Sequence, residues 1–153
     1  MTSKQKVALV SSVGGHLTEL LALKSAFEDL EHFYVFNDEA PFQPPKNISV
    51  YTVAHAERDL LVAKNLLEFY RIFKKEKPTV MLSTGAGPAV PAAVVAKMLG
   101  IRVVFVESVA AVHQPTLTGI LMQPFCDTLF VQWPQIGTHL KEGRWAGNIF
   151  GSS

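Results

Sequence analysis

The sequence predicts a doubly wound parallel α/β sheet, a Rossmann-like fold, on three observations. Continuous apolar runs, typical of strands buried on both faces, alternate with segments whose apolar residues recur at helical spacing. Two of these runs end in a glycine loop that leads into a helix, at Val13–His16 and at Thr84–Gly87. The chain of 153 residues, 48% hydrophobic and 18% charged, fits a single domain, which we place at residues 1–153.

The first half of the chain opens with a strand at Val7–Val10, and we expect a helix from Gly15 to about Leu30. This helix carries a one-sided apolar stripe, typical of a helix that covers a sheet, made of Leu17, Leu20, Leu21, Leu23 and Phe27. His32–Phe36 and Ile48–Val53 are rich in β-branched and aromatic residues and therefore predict the second and third strands.

A long second helix is predicted from Ala56 to Glu76. We expect its inward face to consist of Leu60, Leu61, Ala63, Leu67, Tyr70 and Phe73. Its C-terminal end is basic, with Arg71, Lys74, Lys75 and Lys77. Cations at that end complement the helix dipole, and a contact with anionic lipid is the alternative interpretation.

The second half repeats the order of strand, glycine loop and helix. Its predicted elements are a strand at Thr79–Ser83, a helix that stops at Gly100, a strand at Ile101–Val106, a short helix at Pro115–Gln123 and a strand at Thr128–Val131. Ligands of such sheets bind beyond the carboxyl ends of the strands. Here that edge collects Ser11–His16, Asn37-Asp38, Ser83–Gly87 and Glu107-Ser108.

Composition excludes several classes of function. A net charge of +1 offers no general attraction to nucleic acid. The single cysteine, Cys126, excludes an intramolecular disulfide framework and a zinc cluster, and no Asp-x-Asp pair is present to hold a metal-bound nucleotide sugar, so we expect no metal. Met1–Lys6 contain no long apolar segment, which favours a cytoplasmic protein without a cleaved signal.

The two glycine loops predict a site for two adjacent negative groups, such as a diphosphate. Gly14-Gly15 and Gly85-Ala86-Gly87 let a ligand approach the main chain, and each precedes the free N–H groups of a helix start. A dinucleotide site is the competing interpretation, with Asp38 placed to bind a ribose. The Gly-x-Gly-x-x-Gly fingerprint itself is absent.

Four motifs, in order along nearly the whole chain, closely resemble the PssD/EpsE family of capsular and exopolysaccharide biosynthesis proteins. They are Ser11–Leu20, Ser83–Pro88 with Val90-Pro91, Phe105–Ser108, and Leu117-Thr118-Gly119 followed by Phe130–Pro134. That family also includes the membrane-anchoring subunit of the eukaryotic two-subunit N-acetylglucosaminyltransferase that elongates dolichol-linked sugars.

The resemblance implies the N-terminal, acceptor-binding half of a split GT-B glycosyltransferase. A PssE-like partner would bind the UDP-sugar, and the acceptor would be a polyprenyl-diphosphate-linked saccharide, with no further cofactor. The chain would lie peripherally on the inner face of the plasma membrane and would be inactive or weakly active alone. A stand-alone nucleotide-binding protein and a non-catalytic scaffold or activator of the partner transferase are the alternatives.

The resemblance also implies roles for particular residues. The acceptor diphosphate would be cradled by Gly14, Gly15, Thr84, Gly85 and Gly87. His16 would act as a base near the acceptor hydroxyl, or else only cap its helix or hydrogen-bond a loop carbonyl. Glu107, at a strand tip, would be a second catalytic residue that orients His16 or binds a sugar hydroxyl.

Two further surfaces follow from the same reading. Ser108, Gln132 and Trp133 are expected to contact the partner or a sugar. For Trp133 we expect packing at an interface or strand end rather than stacking on a sugar. An apolar segment is expected either to lie on lipid or to pack as an ordinary short helix, and it comprises Leu117, Ile120, Leu121, Met122, Pro124 and Phe125.

Overall fold

A computed structural model describes residues 4–38, 40, 42–55 and 59–151. They form a seven-stranded sheet in the order β3-β2-β1-β4-β5-β6-β7, in which every neighbouring pair is parallel. The strands are β1 (Lys6–Ser11), β2 (Glu31–Phe36), β3 (Val50–Thr52), β4 (Val80–Gly85), β5 (Arg102–Val106), β6 (Thr128–Val131) and β7 (Gly143–Trp145). Since the strand order reverses between β1 and β4, the predicted doubly wound sheet is confirmed.

The helices are α1 (Gly15–Ala22), α2 (Asp59–Glu76), α3 (Ala89–Met98) and α4 (Leu117–Met122), with 3₁₀ turns at Lys24–Ala26 and Pro134–Thr138. Alternate residues of β1 show how the layers are arranged, because successive side chains of a strand point to opposite faces. Ala8 and Val10 join the core beneath α2, α3 and α4, whereas Val7 and Leu9 pack with α1. The sheet is therefore covered by three helices on one face and by α1 on the other.

The α1 face is covered unevenly. Beside α1 it carries a groove of about 430 Å³ whose floor is formed by Val7, Leu82, Val104, Val106 and Phe130. Leu82, Val104 and Phe130 are half-buried there, whereas the residues on the opposite face of the same strands, such as Met81, Val103 and Phe105, are fully buried. Parallel sheets are normally covered on both faces, so this groove is the open part of the sheet.

Helix α1 is shorter than predicted. It ends at Ala22 rather than near Leu30, and the 3₁₀ turn at Lys24–Ala26 redirects the chain. This bend carries Phe27 into the core, where its ring packs edge-on against those of His32 and Tyr34. Burying the aromatic side chain stabilises this bend.

Among the side chains of α2 that the structure describes, the predicted inward face is wrong except at Phe73. Leu61, Leu67 and Tyr70 are exposed, as is Ala63, and the buried residues are Asn65, Phe69 and Phe73. Asn65 faces inward because its amide donates to the carbonyl of Ala54 at 2.7 Å, which ties α2 to the end of β3. The expected start at Ala56 and the side chain of Leu60 lie outside the described residues.

None of the helices that the structure describes combines the length and the apolar character needed to cross a membrane.

Candidate functional site

The two glycine loops are far apart in sequence but form one surface, because β1 and β4 are neighbours in the sheet. The N–H of Ser12 donates to the carbonyl of Gly85 at 2.9 Å, and the N–H of Ala86 donates to Ser12 Oγ at 3.3 Å. Ser83 Oγ accepts from the N–H of Gly85 at 3.1 Å. These bonds hold both loops side by side at the carboxyl edge of the sheet.

The four glycines of these loops fall into two kinds. Gly14 and Gly85 have positive φ angles of 89° and 104°, and a Cβ on Gly85 would also lie 3.1 Å from His16 Nδ1. Gly15 and Gly87 need no such conformation, and a Cβ at either position would meet no described atom within 4 Å. Glycine at positions 14 and 85 is thus required by the backbone conformation, whereas Gly15 and Gly87 leave open space in front of the main chain.

Both helices that follow these loops begin without a side-chain cap. Within the described residues, neither Gly14 before α1 nor Pro88 before α3 makes a capping hydrogen bond from its side chain, and neither first turn contains an acidic residue. The first N–H groups of a helix have no partner inside it and carry partial positive charge. At α3 fewer of these groups are available, because Pro88 and Pro91 carry no N–H and the N–H of Ala89 donates to the carbonyl of Ala86 at 3.1 Å. The N–H groups of Gly87 and Val90 remain there, so the two starts together form a suitable environment for a bound anion.

His16 lies between the two loops, with its side chain 29% exposed. Its Nδ1 is 2.9 Å from the carbonyl oxygen of Thr84, and Thr84 Oγ1 donates to the carbonyl of His16 at 2.6 Å. Because a carbonyl oxygen can only accept, Nδ1 carries the hydrogen of this bond. In the neutral ring the lone pair is then on Nε2, which leaves Nε2 as the proton acceptor.

Glu19, one turn further along α1, is the residue that sequence reasoning missed. Its Oε2 lies 3.6 Å from His16 Nδ1, an ion-pair distance, while its Oε1 accepts from Ser108 Oγ and from the N–H of Val109, each at 2.9 Å. Glu19 raises the pKa of His16 above its ordinary value, against the opposing effect of burial. Burial would raise the pKa of Glu19, but His16, Ser108 and Val109 together lower it. The three-residue spacing from His16 was the available signal.

Glu107, predicted as a second catalytic residue, is 1% exposed at the end of β5. Its Oε1 accepts from the N–H of Ser108 and from Thr116 Oγ1, both at 2.8 Å, and its Oε2 accepts from the N–H of Thr116 at 3.0 Å. Thr116 in turn caps α4 by accepting from the N–H of Gly119. The carboxylate thus secures its own loop, and Glu19 rather than Glu107 contacts the His16 ring. A catalytic role for Glu107 stays a prediction.

The three residues expected to contact a partner or a sugar are bonded within the chain. Ser108 is buried against Glu19, and Gln132 Oε1 accepts from the N–H of Ile149 at 2.9 Å. Trp133 Nε1 donates to the carbonyl of Val109 at 2.7 Å. Gln132 also lines the open groove of the sheet. Contact of these residues with a partner stays a prediction.

Three buried polar atoms find no hydrogen-bond partner among the described residues, and all three lie at this edge. They are Ser11 Oγ at the end of β1, Glu19 Oε2 on α1 and Asn37 Oδ1 after β2. Such atoms are rare in folded proteins and concentrate where function requires them. In the part of the chain that the structure describes, no three His, Cys, Asp or Glu side chains are grouped to hold a metal ion.

Comparison with solved structures defines the class of fold. MurG from Acinetobacter baumannii superimposes with a TM-score of 0.76 at 14% sequence identity, covering 97% of this chain and 47% of that one. UDP-N-acetylglucosamine 2-epimerase from Rickettsia bellii gives a TM-score of 0.75 at 15% identity, covering 97% and 46%. The chain therefore has the Rossmann-like fold of one half of a GT-B protein.

Sequence comparison gives the family. Residues 48–149, well over half of the chain, match the family model described as "Oligosaccharide biosynthesis protein Alg14 like". The chain belongs to this Alg14-like family, which confirms the resemblance drawn from its motifs. Because the matched region starts at residue 48, the first glycine loop and His16 lie outside it.

Individual relatives are of two kinds. The UDP-N-acetylglucosamine transferase subunit ALG14 of Yarrowia lipolytica is 31% identical over 83 residues, covering 50% of this chain and 38% of that protein, and its mouse counterpart is 24% identical, covering 94% and 82%. The UDP-N-acetylglucosamine–N-acetylmuramyl-(pentapeptide) pyrophosphoryl-undecaprenol N-acetylglucosamine transferase of Clostridium perfringens is 30% identical, covering 85% and 40%. The chain thus spans about two fifths of the Yarrowia and Clostridium proteins.

Proposed function

We propose that this chain is the acceptor-binding part of a glycosyltransferase that moves a sugar from a UDP-sugar to a polyprenyl-diphosphate-linked saccharide. Membership of the Alg14-like family supports the reaction class. The relatives named above are a subunit of a UDP-N-acetylglucosamine transferase and a transferase whose substrate contains pyrophosphoryl-undecaprenol. Following the PssD/EpsE resemblance, we place the reaction in capsular or exopolysaccharide synthesis.

The observation that carries the proposal is the pair of uncapped helix starts beside His16. Gly15 and Gly87 leave open space in front of the two main-chain segments. A diphosphate has two adjacent anionic groups, and the start of α1 offers its first N–H groups to one of them. For the other group, the start of α3 offers the N–H groups of Gly87 and Val90. Thr84, bonded to His16 through both its hydroxyl and its carbonyl, keeps the second loop in register with the histidine.

His16 supplies the chemistry in this proposal. The acceptor hydroxyl forms a bond to the anomeric carbon of the donor sugar while the bond from that carbon to the UDP oxygen breaks. The hydroxyl proton passes to Nε2 of His16, and the electron pair of the broken bond leaves with UDP. A base is most effective when its pKa lies near the working pH, and the neighbouring carboxylate of Glu19 raises the pKa of His16.

A second chain is proposed to bind the UDP-sugar, as the resemblance to PssD-type proteins with PssE-like partners suggests. The open groove over β4, β5 and β6 supports such an association, because it exposes apolar sheet surface that a parallel sheet normally buries. Gln132 and the segment from Ala146 to Ile149 line this groove, and the buried side chain of Gln132 holds that segment through the N–H of Ile149.

Peripheral binding to the inner face of the plasma membrane is part of the proposal, since the acceptor carries a polyprenyl chain. Leu61 and Val62 in the first turn of α2 are exposed, and so are Leu117, Ile120 and Leu121 on α4. Both helices begin at the carboxyl edge of the sheet, on the side of the proposed acceptor site. The basic residues at the C-terminal end of α2 lie at the opposite edge, which favours their interpretation as partners of the helix dipole.

The test is reconstitution with a PssE-like subunit and a short-chain polyprenyl-diphosphate saccharide. The isolated chain should give no appreciable transfer, and the two chains together should give UDP-sugar-dependent transfer. Robust transfer by this chain alone would contradict the split-enzyme proposal.

The same assay separates catalysis from a scaffolding role. We expect His16→Ala to slow turnover by ~100-fold or more while acceptor binding is retained, because the base contributes about that much. Full turnover of a folded His16→Ala complex would leave His16 as a structural residue and would favour the scaffold alternative.

A further inference from the structure

We propose that Glu19 is a positioning residue of His16: together with the carbonyl of Thr84, its carboxylate holds the ring so that Nδ1–H points into the protein and Nε2 faces the acceptor site. The consequence for turnover rests on the function proposed above. The orientation and charge of the ring can be tested without any activity. Neither the motifs nor the family comparison assigns this role to Glu19.

The two oxygens of Glu19 have different neighbours, and this difference is the basis of the proposal. Oε1 accepts two hydrogen bonds from the loop after β5, one from Ser108 Oγ and one from the N–H of Val109. Oε2 is buried without a hydrogen-bond partner among the described residues, and it lies 3.6 Å from His16 Nδ1. A buried carboxylate oxygen left in this state is costly, and a cation beside it removes the cost.

The carboxylate of Glu19 and the His16 ring therefore stabilise each other more strongly once the ring is protonated. As His16 accepts a proton at Nε2 it becomes an imidazolium, and the carboxylate beside Nδ1 stabilises that charge. Two charged groups act on the ring: Glu19 on the same helix and, more weakly, Glu107 at the end of β5. From β4, whose residues carry no charge, the ring meets the neutral carbonyl of Thr84. Glu19 is thus the main electrostatic partner of His16.

One substitution changes the group beside His16 and keeps the oxygen that binds the loop after β5. In Glu19→Gln the amide oxygen can still accept from Ser108 and Val109, so the loop after β5 stays attached. The amide NH₂ then takes the place of Oε2, and a donor faces the Nδ1–H donor of His16. This arrangement removes the charge and disfavours the observed tautomer, while the rest of the structure is retained.

Ser108→Ala is the complementary variant. It removes one donor to Oε1 and the acceptor of the N–H of Ala110, and it leaves the carboxylate beside His16. It therefore tests the attachment of the loop after β5 without removing the charge of Glu19. Glu28→Gln serves as the control for loss of charge, because Glu28 is exposed and only forms a surface ion pair with Lys24 at 3.8 Å.

The first measurement is the titration of the His16 ring by ¹⁵N NMR in the isolated chain. We expect the pKa of His16 to fall in Glu19→Gln, with a shift from the Nε2-acceptor tautomer toward the other. Ser108→Ala and Glu28→Gln should keep the wild-type tautomer and pKa. An unchanged pKa and tautomer in folded Glu19→Gln would overturn the proposal.

The second measurement is the pH profile of kcat in the reconstituted enzyme. Since the base must be neutral, the acid limb follows the pKa of His16 and should move to lower pH in Glu19→Gln. The plateau should fall by about tenfold or more, with the acceptor KM little changed. An unmoved acid limb, or an equal loss in Ser108→Ala, would assign Glu19 to structure. Absence of transfer by the wild-type complex would contradict the proposed function, whereas the NMR result would still decide the role of Glu19.

Discussion

Two buried glutamates meet at Ser108, and they differ in how their oxygens are used. Glu107, at the end of β5, receives the N–H of Ser108 and both the hydroxyl and the N–H of Thr116. Glu19, on α1, receives the hydroxyl of Ser108 and the N–H of Val109 on one oxygen and turns the other toward His16.

The difference separates a structural carboxylate from one available for chemistry. Both oxygens of Glu107 are bonded within its own loop, so its charge is fully engaged in holding that loop and the start of α4. Glu19 divides its oxygens between the loop and a titratable ring. Glu19 and Glu107 are both buried glutamates, and they are distinguished by the hydrogen-bond donors that their carboxylate oxygens contact.

The largest expected effect is on stability, at Glu107. Glu107→Ala leaves three donors from Ser108 and Thr116 without their acceptor in a buried loop, and each such loss costs about 1–3 kcal/mol. We expect the free energy of unfolding to fall by about 4 kcal/mol in urea denaturation. Glu31→Ala, at an exposed residue paired with Lys4, should change it by less than about 0.5 kcal/mol. A comparable loss in both variants would contradict the structural role.

A substitution at Gly119 tests whether the carboxylate of Glu107 is held in place. A Cβ at Gly119 would lie 2.0 Å from Glu107 Oε2, so the carboxylate and α4 must move apart to accept alanine. We expect Gly119→Ala to lower the free energy of unfolding by about 2 kcal/mol. Gly87→Ala is the matched control, because a Cβ there meets no described atom within 4 Å. Equal stability of the two variants would show that Glu107 is not held in place.

The smallest expected effect is the pH dependence of the Glu19–His16 pair. The raised pKa of His16 gives stability that is complete below the unfolded value of about 6.5 and is lost as the pH rises through the folded value. The lowered pKa of Glu19 gives stability that is complete above about 4.5 and is lost on acidification. The difference in stability between wild type and Glu19→Gln should therefore be largest near pH 5.5 and smaller at pH 8.5. A pH-independent difference in urea midpoints would show that the two groups are uncoupled.

The sheet could be predicted because its strands are continuous apolar runs and its loops contain glycines. The sequence could not predict the features that depend on tertiary contacts, such as the inward face of α2 and the end of α1. Asn65 displaced leucines from the inward face of α2 because its amide bonds the loop after β3. Phe27 shortened α1 by turning into the core. The edge strand β7 has three residues, Gly143–Trp145, and carries too little pattern to be recognised.

The candidate site could likewise be predicted only in part from the sequence. His16 and the glycine loops were found because helix starts and glycines have local signatures. Glu19 was missed because its pairing with His16 also depends on the hydrogen bond between the His16 ring and Thr84 on another strand. Glu107 was singled out for its position at a strand tip, and only the structure shows the donors from Ser108 and Thr116 that surround it.

The measurement closest to the central claim is a calorimetric titration of the isolated chain with a short-chain polyprenyl-diphosphate saccharide, repeated with Gly15→Val and Gly87→Val. If the two helix starts hold the diphosphate, the wild-type chain should bind saturably and more tightly than it binds the monophosphate analogue. Each variant should then weaken binding by about tenfold or more while circular dichroism shows an intact fold. Unchanged affinity in both folded variants would contradict the acceptor site, because the glycines would then serve only the turns.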